Sequence, residues 1–504
     1  MAATIGELLA AHPDDAPALS APDRPVLTYG GLRALVGRTV ERLNGLGIGR
    51  DDRCAIVLPN GPEMAAAFVA VAGAATTAPL NPAYREDEFA FYLEDLGAKA
   101  LLVEAGSDSP AVNAAGRLGI PVLHLEVPAG SPAGSFGIAG EPVGVLGEGG
   151  PAGAGDIALI LHTSGTTSRP KIVPLSQTNV TASAANIGKS LALTGDDVCM
   201  NIMPLFHIHG LIAAVLSSLA AGASIYCTPG FNALRVFSWF EDAQPTWYTA
   251  VPTMHQAIVG RAARNPEIVA GLSLRFARSS SSSLPPQVMA EIEEVFRCPV
   301  IEAYGMTEAA HQMASNPLPP ATRKPGSVGL QAGPDMAIMD NSGTLLGAGE
   351  TGEIVIRGPN VTAGYENNPS ANTEAFAHGW FHTGDQGVRD EDGYYRITGR
   401  LKEIINRGGE KISPREVDEV LMDHASVLQV VTFAMPHDKL GEEVAAAVVL
   451  REGTEASERE LRDFAGERLA DFKVPRKIVF LDEIPKGATG KLQRIGLAEK
   501  LGLV

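Results

Sequence analysis

The chain has 504 residues, 45% hydrophobic and 19% charged, with 40 Lys and Arg against 58 Asp and Glu for a net charge of −18. At roughly 150 residues per domain this allows about three compact units, and the apolar content excludes a mostly disordered chain. So acidic a balance is ill suited to phosphate backbones or anionic membranes, which excludes nucleic acid as an expected partner.

The amino terminus, Met1 to His12, lacks the basic segment and apolar run of a secretory leader, and the closing Glu499-Lys500-Leu501-Gly502-Leu503-Val504 carries no peroxisomal or prenylation tag. The best apolar window, Met64 to Ala75, is about half of the ~20 residues a bilayer crossing requires. No membrane span is therefore predicted, and a cytoplasmic protein is expected. Cys54, Cys199, Cys227 and Cys298 form no C-x-x-C pair, which argues against a disulfide framework or thiolate zinc site and fits a reducing compartment.

Over the first ~125 residues, helical stretches at Tyr29–Leu46 and Glu63–Ala75 alternate with strand-like runs at Cys54–Leu58 and Ala100–Val103, the rhythm of an α/β fold. From Glu126 to Asp156, Gly, Pro and Ala dominate, and neither helix nor strand is expected to persist. Gly147, Gly149 and Ala152 match G-x-G-x-x-A there, but without a preceding strand and following helix they make no dinucleotide fingerprint.

Asp156 to His162 reads as a buried strand running into Thr163-Ser164-Gly165-Thr166-Thr167-Ser168-Arg169-Pro170-Lys171, after which apolar residues resume at Ile172-Val173. Small side chains bare successive backbone N–H groups, the hydroxyls add donors and Lys171 adds a point charge. This is a polyphosphate cradle, although such a composition also suits an ordinary turn, and the Walker A spacing is absent. Pro204-Leu205-Phe206-His207-Ile208-His209-Gly210 sets two histidines at a helix start, and with no third ligand nearby they make no zinc site. Arg278 precedes a run of serines from Ser279 to Ser283. The strand-like Pro299–Ala303 ends in Tyr304-Gly305-Met306-Thr307-Glu308, with His311 close behind. Thr383-Gly384-Asp385 and Tyr395–Arg400 follow, each readable in isolation as a turn or strand exit. Near the end, Ser413-Pro414-Arg415-Glu416 and Ser457-Glu458-Arg459-Glu460 read as capping boxes, the first followed by the apolar stripe Val417, Val420 and Leu421. Gln429–Ala434, Val444–Leu450 and Lys477–Leu481 read as strands, which makes a small α+β domain from about residue 402.

In this order and spacing, the motifs resemble those of the adenylate-forming (ANL) superfamily of acyl-CoA synthetases, luciferases and peptide-synthetase adenylation domains. The phosphate loop there reads T-S-G-T-T-G-x-P-K-G, and Ser168 and Ile172 stand where glycines are usual. The resemblance implies an α/β N-terminal domain over 1–400, with a small β-barrel-like subdomain, and a small mobile α+β domain over 401–504. It implies an AMP-forming acid–CoA ligase that uses ATP, Mg²⁺ and coenzyme A, making first an acyl adenylate and then the thioester. Carried over by motif, ATP contacts fall to Thr163, Ser164, Gly165, Thr166, Thr167 and Lys171. Tyr304 borders the adenine, Thr307 contacts the α-phosphate, Glu308 holds Mg²⁺, and Asp385 with Arg400 binds ribose. Lys491, in Thr489-Gly490-Lys491-Leu492-Gln493-Arg494, bridges the substrate carboxylate and the α-phosphate, although by itself a Lys near a terminus is only a solvated charge. Lys402 is the hinge candidate, and Gly408-Gly409-Glu410 belongs to the loop that serves the CoA step, where an ordinary hairpin turn is the plainer reading.

Four strings, T-S-G-T-T-S-R-P-K, P-L-F-H-I-H-G-L, T-E-A-A-H-Q-M-A-S-N-P-L-P and I-N-R-G-G-E-K-I-S-P-R-E-V-D, resemble the oxalyl-CoA synthetase branch. That likeness assigns oxalate contacts to His207, Ser281 and His311, with His207 joining Lys491, Thr307 and Glu308 as catalytic candidates. Malonyl-CoA synthetases carry Arg directly before the Y-G-M-T-E tyrosine, where this chain has Ala303. The alternatives are a short- or medium-chain fatty acyl-CoA or malonyl-CoA synthetase, and a carrier-protein adenylation enzyme, against which the absence of a G-x-x-S carrier segment after Lys491 is weighed.

Overall fold

The structure is a computed structural model that describes residues 2–163, 170–486 and 491–504. Two large sheets organise most of the chain. The first has seven strands in the order Gly137–Ala139, Val122–Glu126, Ala100–Glu104, Arg53–Val57, Thr76–Pro79, Ile157–Thr163 and Lys171–Ser176, parallel except at both edges. The second has nine, in the order Leu330–Gln331, His311–Ser315, Val300–Met306, Phe276–Ser279, Trp247–Ala250, Val198–Asn201, Ser224–Cys227, Pro17–Ala21 and Arg24–Thr28. Its middle strands are parallel, so their carboxyl ends open on one edge, where α/β folds bind ligands.

One apolar cluster fills the space between the sheets, joining Ile56 and Leu159 of the first to Trp247, Phe276 and Ile301 of the second. The apolar window at Met64 is a core element: helix Pro62–Ala72 buries every residue from Met64 to Ala72. A helix apolar all round needs protein on all sides, and here the two sheets supply it. Among the described residues no helix is long and apolar enough to cross a membrane.

The Gly/Pro-rich stretch departs from expectation in two ways. Gly137–Ala139 pairs antiparallel with Val122–Glu126, so a short strand does form there. The remainder packs down, with Arg50 N donating to Glu148 O at 2.8 Å and Ala152 N to Gly73 O at 2.8 Å. Backbone bonds to the folded body hold the segment, and Phe136 packs into the main apolar cluster.

Beyond residue 330 come two smaller sheets. Asp335–Met339, Thr351–Arg357, Phe381–Arg389 and Tyr395–Arg400 form a four-stranded antiparallel sheet. After the turn Leu401–Glu403, the strands Glu410–Ile412, Ile405–Arg407, Gly441–Leu450, Val427–His437 and Lys477–Phe480 form the last sheet, which has its own apolar cluster around Val417, Leu421, Val444 and Ile478. Ser457 caps helix Glu458–Gly466 with the full reciprocal box. Ser413 does not cap helix Pro414–Met422. Its hydroxyl bonds Thr398 O instead, and Glu416 receives Lys473 Nζ at 2.6 Å. A tertiary contact has taken both partners of that box. Arg494 ties the carboxy-terminal tail to this part of the chain, pairing with Asp418 at 2.8 Å and with Glu403, in the connecting turn, at 3.1 Å.

Candidate active site

The phosphate-loop candidates Ser164, Gly165, Thr166 and Thr167 lie outside the described residues. The loop's two edges are described: Thr163 ends one strand and pairs with Lys171 at the start of its antiparallel neighbour. Lys171 Nζ stands 4.2 Å from the ring centroid of Tyr365, whose hydroxyl donates to Glu308 Oε1 at 2.8 Å. Burial, and then the charge of Lys402, lower the Lys171 pKa, while Glu308 pulls the other way. Glu308 sits buried in the turn Thr307–Ala309, and its neighbour Thr307 is half-buried. Tyr365 was not found by sequence reasoning, because a lone tyrosine in an irregular segment carries no local signal.

A second row lies across the paired strands Phe381–Arg389 and Tyr395–Arg400, where Asp385 and Arg400 are register partners. Tyr304 Oη donates to Asp385 Oδ2 at 2.5 Å and Arg400 Nε pairs with Oδ1 at 3.3 Å. Burial raises the Asp385 pKa, with Arg400 opposing. Lys491 faces the same space: burial and then Arg400 bring its ammonium down to about 8, while Asp385 and Glu308 act in the opposite direction. Its field also lowers the pKa values of His207, His209 and His311. The structure therefore gathers Lys491, Glu308, Asp385, Arg400 and the histidines around one region.

The histidine end is built from three elements. His207 precedes the π-helical stretch His209–Leu216, and its Nδ1 accepts the His209 backbone N–H at 3.3 Å, which leaves Nε2 to carry the proton of the neutral ring. Burial holds His207 neutral down to about pH 3. His209 is fully buried, with Nδ1 3.0 Å from Ser281 Oγ and Nε2 2.6 Å from Thr249 Oγ1. His311 lies with its ring centroid 5.0 Å from that of His209. It is 1% exposed, and neither of its ring nitrogens has a hydrogen-bond partner among the described residues. Buried polar groups are ordinarily hydrogen-bonded, so this ring keeps two polar atoms able to meet a bound group. His209, outside the substrate set drawn from the sequence, is thus the histidine bonded to Ser281, and the signal for it was already present in the H-x-H string.

Gly305 makes this crowding possible, since a Cβ there would lie 2.2 Å from His311 O and 2.9 Å from its Nδ1. Gly408 and Gly409, at φ +60° and +101°, form the two-residue turn between Ile405–Arg407 and Glu410–Ile412, the hairpin geometry that favours glycine at both places. Lys402 occupies the turn Leu401–Glu403 between the last two sheets. A cavity of about 400 Å³ adjoins the His207 segment, lined by Leu205, Phe206, Leu58, Met64 and Phe231; it is mainly apolar and none of the histidines lines it.

Among the described residues no three His, Cys, Asp or Glu side chains gather as a metal cage. Glu308 alone still suits Mg²⁺, an ion that keeps several waters and needs only one or two carboxylates beside phosphate oxygens. Tyr365 engages one of its oxygens, Oε1.

Comparison with known proteins gives the family. The AMP-binding enzyme family matches residues 7–366, and the AMP-binding enzyme C-terminal domain matches residues 416–491. The oxalate–CoA ligase of Arabidopsis thaliana is 46% identical, covering 95% of this chain and 94% of its own length. That of Saccharomyces cerevisiae is 41% identical, covering 89% and 87%. The crystal structure of ATP-bound MatB from Rhodopseudomonas palustris superposes with a TM-score of 0.88 at 29% identity, covering 99% of both chains. With the larger family match spanning most of its length, the chain belongs to the AMP-binding enzyme family.

Proposed function

We propose that this enzyme is an ATP-dependent acid–CoA ligase whose acid is oxalate. The observation that carries the choice of acid is His311, a buried imidazole with both nitrogens unmatched, beside His209 and Ser281. An acyl chain would leave these polar atoms without partners, whereas a two-carbon dianion accepts hydrogen bonds at either end. The oxalate–CoA ligases at 46% and 41% identity support the same reading.

In the first half-reaction an acid oxygen attacks the α-phosphorus of ATP, the bond to pyrophosphate breaks, and acyl adenylate forms. Lys491 and Lys171 offset the charge that gathers around phosphorus, Thr307 donates to the α-phosphate, and Asp385 and Arg400 hold the ribose beside Tyr304. His207 donates through Nε2 to the acid carboxylate. Glu308 would hold Mg²⁺, which supplies positive charge to the phosphates. In the second half-reaction the CoA sulfur attacks the acyl carbonyl, the thiol proton is lost, and the bond to AMP breaks. We place the domain boundary after Arg400 and the hinge at Lys402, supported by that turn's position between two sheets. Gly408, Gly409 and Glu410 then serve the CoA step. A cytoplasmic location is our reading, supported by four cysteines that are all buried and unpaired.

Pyrophosphate release over a panel of short mono- and dicarboxylates with ATP and CoA tests the function, and a wild-type preference for hexanoate or octanoate over oxalate rejects the choice of acid. His311→Ala is expected to lower kcat/KM for oxalate by roughly ten- to a hundredfold, equivalent to about 1.4–3 kcal/mol for one hydrogen bond to a charged group, with little change for an apolar acid. Equal impairment of both acids counts against it.

The Lys491 pKa of about 8 sets a pH expectation. The ammonium is the useful form, so activity is full below that value and falls as pH rises through it. kcat/KM for ATP, which reports free enzyme, is expected to show an alkaline limb near pH 8. A profile flat to pH 10 contradicts the role of Lys491.

A further inference from the structure

Arg278 is fully buried on strand Phe276–Ser279, and among the described residues no carboxylate pairs with it. A buried charge so placed is costly unless something else compensates it. Its Nη2 donates to Gln312 Oε1 at 3.2 Å, its Nη1 lies 3.4 Å from Thr249 Oγ1 and 3.5 Å from His209 Nε2, and its Nε has no partner among the described residues.

These contacts have a direction, because a guanidinium can only donate. Arg278 Nη1 faces both Thr249 Oγ1 and His209 Nε2, so Nε2 is held as an acceptor, and the Thr249 hydroxyl hydrogen is directed to it, 2.6 Å away. His209 is neutral, held so by burial first and by His311 and Arg278 next. With Nε2 accepting, the ring proton is on Nδ1 and is donated to Ser281 Oγ at 3.0 Å. Ser281, half-buried at φ +73°, then has its one hydroxyl hydrogen left to donate, and the His209 ring it accepts from lies 5.0 Å, centroid to centroid, from His311.

We propose that Arg278 is a specificity-determining residue: through Thr249 and His209 it fixes Ser281 as a donor to the second carboxylate of a short dicarboxylic acid, and its charge balances the charge that carboxylate brings. This rests on the reading of the acid as a dicarboxylate. Arg278 acts through its neighbours and is a positioning residue. A monoacid of similar size, such as glyoxylate, brings no second charge and needs this balance far less.

The test compares KM and kcat for oxalate, KM or inhibition constant for glyoxylate, and KM for ATP, in wild type, Arg278→Met, Arg278→Lys and Thr249→Val. Arg278→Met is expected to raise the oxalate KM by about ten- to a hundredfold while the glyoxylate and ATP constants stay within about threefold. Arg278→Lys should recover part of the loss, and Thr249→Val, which leaves the charge in place, should raise the oxalate KM about tenfold. Parallel loss for both acids, or a matching rise in the ATP KM, shows a merely structural role and overturns the proposal. If Arg278→Met does not fold, the two milder variants decide: an unchanged oxalate-to-glyoxylate ratio in both overturns it equally. A wild-type enzyme indifferent to oxalate defeats the choice of acid first, and shows itself before any variant is made.

Discussion

Lys491→Ala is expected to slow acyl-adenylate formation by about a hundred- to a thousandfold, the scale for removing one preorganised charge stabiliser from a transition state. The structure sets this lysine where Asp385, Glu308 and Arg400 all act on its charge, the region in which the adenylation step crowds anions. Thioester formation from a synthetic acyl adenylate and CoA has no pyrophosphate to expel, so it should proceed at close to the wild-type rate. Single-turnover measurement of each half-reaction separates the two. Equal losses in both would show that Lys491 supports the site as a whole and has no step of its own.

Lys402→Pro should give the opposite division. Proline fixes φ near −65° and constrains the residue before it, so a backbone rotation in the turn Leu401–Glu403 is obstructed. ATP–pyrophosphate exchange, which on the proposed hinge needs no rotation, is expected to persist within about threefold while CoA transfer falls by about a hundredfold or more. Normal overall turnover would place the pivot elsewhere in the chain.

Local pattern made much of the framework legible. Asp156 to His162 reads as a buried strand because continuous apolar residues have few other uses at that length, and strand Ile157–Thr163 forms there. Ser457 and Glu460 are three residues apart and need only each other, so that box forms as read. Ser413 and Glu416 have the same spacing, yet Thr398 and Lys473, distant in sequence, compete for them and win. The nucleotide-side candidates were legible because strings such as Tyr304–Glu308 are contiguous. Tyr365, Thr249 and Arg278 were not, since each meets its partners only when separate strands align: Thr249 lies opposite Arg278 through the register of two parallel strands. The absence of an arginine at Ala303 was legible as a difference from malonate enzymes, but the buried arginine on the adjacent strand was visible only as the residue before a run of serines.

The clamp at Arg494 has a mechanical consequence. This side chain bonds Glu403 in the turn and Asp418 on helix Pro414–Met422, so the tail is fastened at both the proposed pivot and the helix beyond it. Lys491 is three residues from that fastening, so on the proposed hinge it would follow the helix when the body turned. On the proposed hinge it would act as the tip of a crank whose axle is the turn Leu401–Glu403. Cutting the fastening would leave the crank slack, with the lysine still tethered but no longer timed to the stroke.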